Sequence, residues 1–303
     1  MNSKTVALIA LFTVQLLYGF NYTIAKQLMN TGGVSPDALV VFRVAGAAIL
    51  FWLFGLFYKG EKIERKDFLT LFFAALFGVG INMILYLKGL ELTTPIHASV
   101  ISTIIPILIL VLSAFFLNEK LTKLKILGVI LGFAGGVLLT ILGKSTRTAD
   151  NVLLGNIFVF LNALFYSGYV ILVKKLTAKY HPFSFIKWLF LIGIFIVVPF
   201  GYQDTLTIDY HAFDGYAWFL ISFVVVGATF GTYFLNPLAL RSLKASTVGI
   251  FVYLQPVIAG IFALATGKDS INIIKILAMF LIFFGVYLVT KKPKIASTPN
   301  PNL

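Results

Sequence analysis

Ten apolar runs follow one another through this chain, at 6–29, 37–58, 67–87, 96–117, 122–142, 152–173, 184–202, 213–238, 245–267 and 272–290. A bilayer core about 30 Å thick needs about 20 helical residues per crossing, and most of the runs are close to that length. Hydrocarbon offers no partner to a backbone N–H or C=O, so a segment crossing it bonds internally, as a helix. The chain is therefore expected to be an all-α integral membrane protein with ten transmembrane helices. Its composition agrees: 59% of residues are hydrophobic and 12% charged, against about 45–50% and about 25% in soluble proteins. The first run follows a single positive charge and lacks a small-x-small cleavage pattern, so it reads as a retained span. Ser35-Pro36, Thr94-Pro95 and His181-Pro182 each place proline at an expected helix start. Only 143–151 and 203–212 are connectors of any length, and 291–303 reads as a disordered, cytoplasmic tail.

Part of this pattern is written twice. Gly89–Leu139 aligns on Ala239–Val289 without a gap, matching Pro106 to Pro256, Lys125-Ile126-Leu127 to Lys275-Ile276-Leu277, and Gly135 to Gly285. With an offset of 148, Tyr18 and Lys26 also meet Tyr166 and Lys174. Each copy holds five spans, so the second crosses in the opposite sense. Inverted repeats of this kind are a signature of secondary transporters, with the substrate site near the midplane between halves.

The charges set an orientation and exclude several chemistries. Seventeen of the 24 Lys and Arg fall on one side of the spans and five on the other, with Lys26 and Arg43 inside spans. The rule that basic connectors stay inside puts both termini in the cytoplasm. Because the net charge of +13 is spread through these short connectors, it does not indicate a nucleic-acid partner. Absent cysteine removes disulfides and thiolate chemistry, and the scattered His97, His181 and His211 form no metal cluster. No metal or cofactor is expected.

Tyr18-Gly19-Phe20-Asn21 with Lys26, then Pro36 and Arg43, Gly89-Leu90 ahead of Pro106, Asn118-Glu119-Lys120-Leu121 and a glycine-rich fifth span together resemble the drug/metabolite transporter superfamily, specifically its EamA-type members. The resemblance covers 6–290. It implies two repeats, 1–145 and 146–290, and a central cavity among spans 1, 3, 4, 6, 8 and 9. The second copy departs from the pattern, having Gly267-Lys268-Asp269 for the expected Gly-Glu pair and no arginine opposite Arg43.

Candidate substrate-binding residues are the polar groups within those spans: Tyr18, Asn21, Asn82, Tyr86, Asn162, Tyr166 and Tyr233, with Arg43 as a guanidinium able to hold an anionic group. For each polar group, helix–helix bonding is the competing reading; for Arg43 and Lys26 it is snorkelling to the interface. Pro106 and Pro256 are candidate gating positions, because a mid-span proline frees a carbonyl and kinks the helix. Gly128, Gly132 and Gly136 form a ridge read as packing within the monomer, although a homodimer stays open. Glu119-Lys120 reads as an end-of-span cap or gate contact. No acid lies deep in a span, which disfavours a buried proton relay.

The expected function is a carrier in a bacterial inner (plasma) membrane. By resemblance it exports amino acids or related small metabolites. Rival readings are an importer or exchanger of a metabolite or a nucleotide-sugar-like anion, a channel, and an intramembrane lipid-handling enzyme. The last lacks a catalytic set: no paired Asp exists, and His97 and Ser99 are too close in sequence to face each other on one helix. The partners expected are a small-molecule substrate and the lipid bilayer.

Overall fold

The computed structural model describes residues 3–31, 33–58, 60–93, 98, 101–141, 151–265 and 273–290. Ten helical rods appear among them. They are α1 (Ser3–Thr31), α2 (Pro36–Leu56), α3 (Arg65–Leu92), α4 (Ile105–Leu117), α5 (Lys123–Ile141), α6 (Val152–Thr177), α7 (Pro182–Leu206), α8 (Gly215–Ser242), α9 (from Ala245 to Ala265) and α10 (Ile273–Thr290). Six of them (α1, α2, α3, α6, α7 and α8) are long and apolar enough to cross a membrane by length and composition. Their outward faces suit lipid. On α10, Phe280 and Phe283 are exposed while Ala278 and Ile282 are fully buried.

The helix ends follow the punctuation. Ser35 caps α2, its Oγ accepting from Ala38 N, with Pro36 in the first turn; Pro182 opens α7 in the same way, and Asn151 and Asp214 cap α6 and α8. Thr94-Pro95, His97 and Ser99 lie outside the described residues, as do 142–150 and 291–303. One boundary differs. The expected connector 203–212 is helical as far as Leu206, with a 3-10 turn at Tyr210–Ala212. Gly201 permits this extension by packing against the backbone of Asp37, while Asp204 accepts a hydrogen bond from Ser35.

Partners are exchanged between the two sequence copies. Helix α1 packs on α8 and α9; α6 packs on α3 and α4; α2 meets α7, α4 meets α9 and α5 meets α10. Replacing every helix by the one five places away leaves these pairings unchanged. Two contacts repeat the relation at atomic detail: a Cβ on Gly135 would lie 2.7 Å from Ala278 O, and one on Gly285 would lie 2.5 Å from Gly128 O. The glycine ridge on α5 is thus consumed within the monomer, Gly132 facing the Tyr253 ring and Gly136 facing Thr103.

Lys26 and Lys174 do not snorkel. Lys26 Nζ donates to Leu90 O and Glu91 O, both at 2.8 Å, at the C-terminus of α3. Lys174 Nζ donates to Leu240 O and to Leu243 O, the latter at 2.8 Å, at the C-terminus of α8. Each copy's first-helix lysine therefore satisfies the orphan carbonyls and negative end of the third helix of its own copy. Lys174→Met is expected to destabilise the protein by about 2 kcal/mol, the upper range for a cation at a partly buried helix end. Thermal unfolding in detergent measures it, and an unchanged midpoint contradicts the capping role.

The connectors are tied as well. Glu61, after α2, accepts from His181 N at 2.7 Å and from Ser184 Oγ at 2.5 Å. Burial pushes its carboxyl pKa up, but these hydrogen bonds outweigh that and hold it below the usual carboxylate value. A lowered folded-state pKa means that this tie contributes above the ordinary Glu range and is lost as pH falls through the lowered value.

Candidate functional site

A single chamber at the centre of the bundle gathers side chains from seven rods. Tyr18, Asn21 and Tyr22 enter from α1 and Arg43 from α2. Asn82, Met83 and Tyr86 enter from α3, and Asn162 and Tyr166 from α6. Tyr233 enters from α8, Val252 and Gln255 from α9, and Ser102 and Ile105 from the start of α4. All eight residues singled out by sequence as substrate contacts thus line one cavity. The space open to the centre of a water molecule is about 70 Å³, room for on the order of five waters at roughly 10–15 Å³ each.

Local departures from the α-helix shape this chamber. Helix α3 widens into a π turn at Leu76–Gly80, and α8 does so at Phe223–Gly231, a register apart by the same 150 residues that relate the copies. Such turns displace backbone carbonyls from their usual donors. Gly78 O accepts from Tyr233 Oη, and Ala228 O, its sequence equivalent, accepts from Arg43 Nη2 at 3.4 Å and from Thr232 Oγ1 at 2.9 Å. Gly78 has no alternative residue, because the Tyr169 ring occupies the place of its Cβ.

The fourth and ninth rods are also interrupted at equivalent places. Ile104 N bonds to Ile101 O just before α4, and Phe251–Tyr253 form a 3-10 turn within α9. The two candidate gating prolines lie beside these interruptions. Pro106 is in the first turn of α4, and Pro256 is the third residue of Leu254–Ala265. Each lies within the first three residues of an α-helical segment, where a missing N–H costs little.

Arg43 is 3% exposed and does not reach the interface. Its Nε donates to Thr229 Oγ1 at 2.9 Å, its guanidinium carbon lies 5.9 Å from the Tyr86 ring centre, and Nη1 is buried with no protein acceptor among the described residues. Asn21 Nδ2 donates to Tyr86 Oη at 3.3 Å, and across the chamber Asn236 Nδ2 donates to Tyr166 Oη at 3.0 Å. Both asparagines leave Oδ1 buried and unbonded. The amide and phenol have traded helices between the copies, so the two halves offer the same groups in mirrored order.

Asn82 and Asn162 are differently employed. Each donates its amide to the other's backbone carbonyl, at 3.1 and 3.0 Å, locking α3 to α6. They line the chamber with their amide nitrogens already committed. Tyr22 Oη lies 3.0 Å from Ser102 Oγ and 3.1 Å from Gln255 Oε1, and Gln255 Nε2 donates to Gln15 Oε1 at 2.8 Å. Gln15 was not foreseen as part of this set. Its signal was its position seven residues before Tyr22, two helical turns along the same face.

A bundle that is all-helical among the described residues, with an apolar exterior and a central chamber bordered by tyrosine, asparagine and arginine side chains, has the make-up of a multi-pass membrane protein. Comparison with known proteins narrows this class. The model of the EamA-like transporter family matches twice, over residues 5–141 and 153–291. The uncharacterized transporter YetK of Bacillus subtilis is 21% identical over 289 residues, covering 95% of this chain and 88% of its own. An uncharacterized transporter of Archaeoglobus fulgidus is 26% identical over 277 residues, covering 91% and 95%. A WAT1-related protein of Arabidopsis thaliana is 26% identical over 315 residues, covering 92% and 83%. One solved crystal structure, 18% identical, shares the fold with a TM-score of 0.74 over 94% of this chain and 96% of its own. The chain belongs to the EamA-like transporter family. It is a membrane transporter of small molecules and not an enzyme.

Proposed function

We propose that this transporter exports amino acids or closely related zwitterionic metabolites across a bacterial plasma membrane. It works by alternating access between two inverted five-helix halves, 1–145 and 146–290, with both termini cytoplasmic. The exchange-symmetric pairing of the rods, the paired lysine caps and the twofold match of the family model support the inverted halves. The Lys and Arg tally supports the orientation. In this reading the interruptions beside Pro106 and Pro256 act as hinges, consistent with discontinuous helices at the substrate site of other carriers.

The observation that carries the substrate class is the pair of unmet groups on residues lining the chamber: the guanidinium nitrogen Arg43 Nη1 and the amide oxygen Asn21 Oδ1. A solute with a carboxylate and an ammonium group answers both kinds. The chamber's room for about five waters matches a small amino acid far better than a nucleotide sugar.

Counterflow of labelled amino acids into proteoliposomes preloaded with unlabelled solute tests the reading. Asn21→Ala removes an acceptor for a charged donor, a bond of about 1.5–3 kcal/mol, so uptake at low solute concentration is expected to fall about tenfold to a hundredfold. Tyr166→Phe is expected to lower it severalfold. Wild-type rates in both variants for a solute the protein carries mean that the site lies elsewhere, and no counterflow with any amino acid removes the substrate class.

A further inference from the structure

Among the residues lining the chamber, Arg43 carries the only fixed charge, and no Asp or Glu is with it. Its protein partners are neutral: a threonine hydroxyl, a backbone carbonyl and an aromatic face. The acid nearest along its own helix, Asp37, lies six residues away, about 9 Å of helix, and is paired to Lys88 at 3.0 Å. A guanidinium that is 3% exposed, with Nη1 lacking a protein acceptor, sits in surroundings where an unpaired charge is strongly penalised.

We infer that Arg43 Nη1 is the seat of a small monovalent inorganic anion, of the size and charge of chloride, which neutralises the chamber between transport events and which a substrate carboxylate displaces. The chamber's volume accommodates such an ion with part of its hydration, and Tyr86, whose hydroxyl accepts from Asn21 Nδ2 and keeps its own proton to donate, lines the same chamber. This deepens the proposed function by naming what occupies the same site in the absence of solute. A carrier of this design returns across the membrane charge-balanced, so it depends on an anion even when its solute is electrically neutral.

The test is thermal unfolding of the purified full chain in detergent, with sodium chloride titrated against sodium gluconate at constant total salt. Gluconate is too large for the chamber. Wild-type protein is expected to gain about 2 °C in Tm at chloride ten times the dissociation constant of the site, rising with the logarithm of chloride beyond that, the shift given by one site in a chain of this size. Arg43→Gln is expected to show no chloride-dependent rise. Asn21→Asp places a carboxylate on the residue bonded to Tyr86, beside Arg43; it supplies the counter-charge from the protein and is likewise expected to abolish the chloride response. Should Arg43→Gln not fold, Arg43→Lys (response retained, weaker) and Asn21→Asp (response lost) decide the matter. A chloride response of equal size in wild type, Arg43→Gln and Asn21→Asp assigns the effect to the surface and overturns the inference, as does no response in wild type. If chloride is without effect while amino-acid counterflow still requires Arg43, the anion seat fails and the proposed function stands. If the chloride response is present and no amino acid exchanges, the anion seat stands and the substrate reading fails.

Discussion

Glu119→Ala is expected to destabilise the protein by about 3–5 kcal/mol, the usual loss when one partner of a buried ion pair is removed. Glu119 follows Asn118, whose left-handed backbone (φ 51°) turns the chain off the end of α4. That turn delivers the carboxylate to the start of α9. There Oε1 accepts from Ala245 N at 2.8 Å, and Oε2 accepts from Ser246 Oγ at 2.5 Å and from Lys125 Nζ at 3.2 Å. Lys125 Nζ also donates to Ser246 Oγ at 2.6 Å, and the two charged side chains are only 10% and 7% exposed. Truncation strands the ammonium and strips the first turn of α9 of its anionic cap. The companion change Lys125→Met is expected to restore most of the loss, because removing both charges is far cheaper than removing one. Unfolding midpoints of the two single variants and the double variant measure this coupling. A loss below about 1 kcal/mol for Glu119→Ala means that the pair is effectively solvated. The network joins the α4–α5 connector to α9.

Gly285→Val should be nearly as damaging, at about 3 kcal/mol, the upper end for overpacking. A Cβ at Gly285 meets Gly128 O at 2.5 Å and Gly132 N at 2.9 Å. These are backbone atoms of a packed helix, which cannot rotate aside as a side chain does. Gly135→Val is expected to behave alike, since its Cβ meets Ala278 O at 2.7 Å. Gly215 provides the control: nothing lies within 4 Å of its Cβ, so Gly215→Ala should change stability by less than about 0.5 kcal/mol. If Gly285→Val unfolds at the same temperature as Gly215→Ala, α5 and α10 are not held at backbone contact.

Much of the architecture was legible from residue order because its causes are local. Run length selects membrane helices, proline and Ser, Asn or Asp mark their starts, and offsets of 148 and 150 in the sequence place Lys26 opposite Lys174 and Gly135 opposite Gly285. Those rules need no knowledge of neighbours. Where they failed, a neighbour supplied what a single helix lacks. Lys26 was expected to snorkel because a lone helix gives an ammonium no partner but the interface; the end of α3 gives it two carbonyls. Pro106 and Pro256 were expected as kinks because the apolar runs read straight through them, whereas tertiary packing breaks α4 and α9 just before each.

The chamber divides in the same way. That Tyr18, Asn21, Arg43, Asn82, Tyr86, Asn162, Tyr166 and Tyr233 are polar groups in apolar surroundings was determined by the sequence, since hydrocarbon forces each to find a partner. Which partner each found was decided only by the tertiary structure. Asn82 and Asn162 spend their amides on each other's backbone, while Asn21 keeps a free oxygen and Arg43 a free N–H. The reason is geometric: hydrogen bonds between helices depend on axial register and rotation, including the π turns at Leu76–Gly80 and Phe223–Gly231. Those are properties of packed pairs of helices, and no single span encodes them.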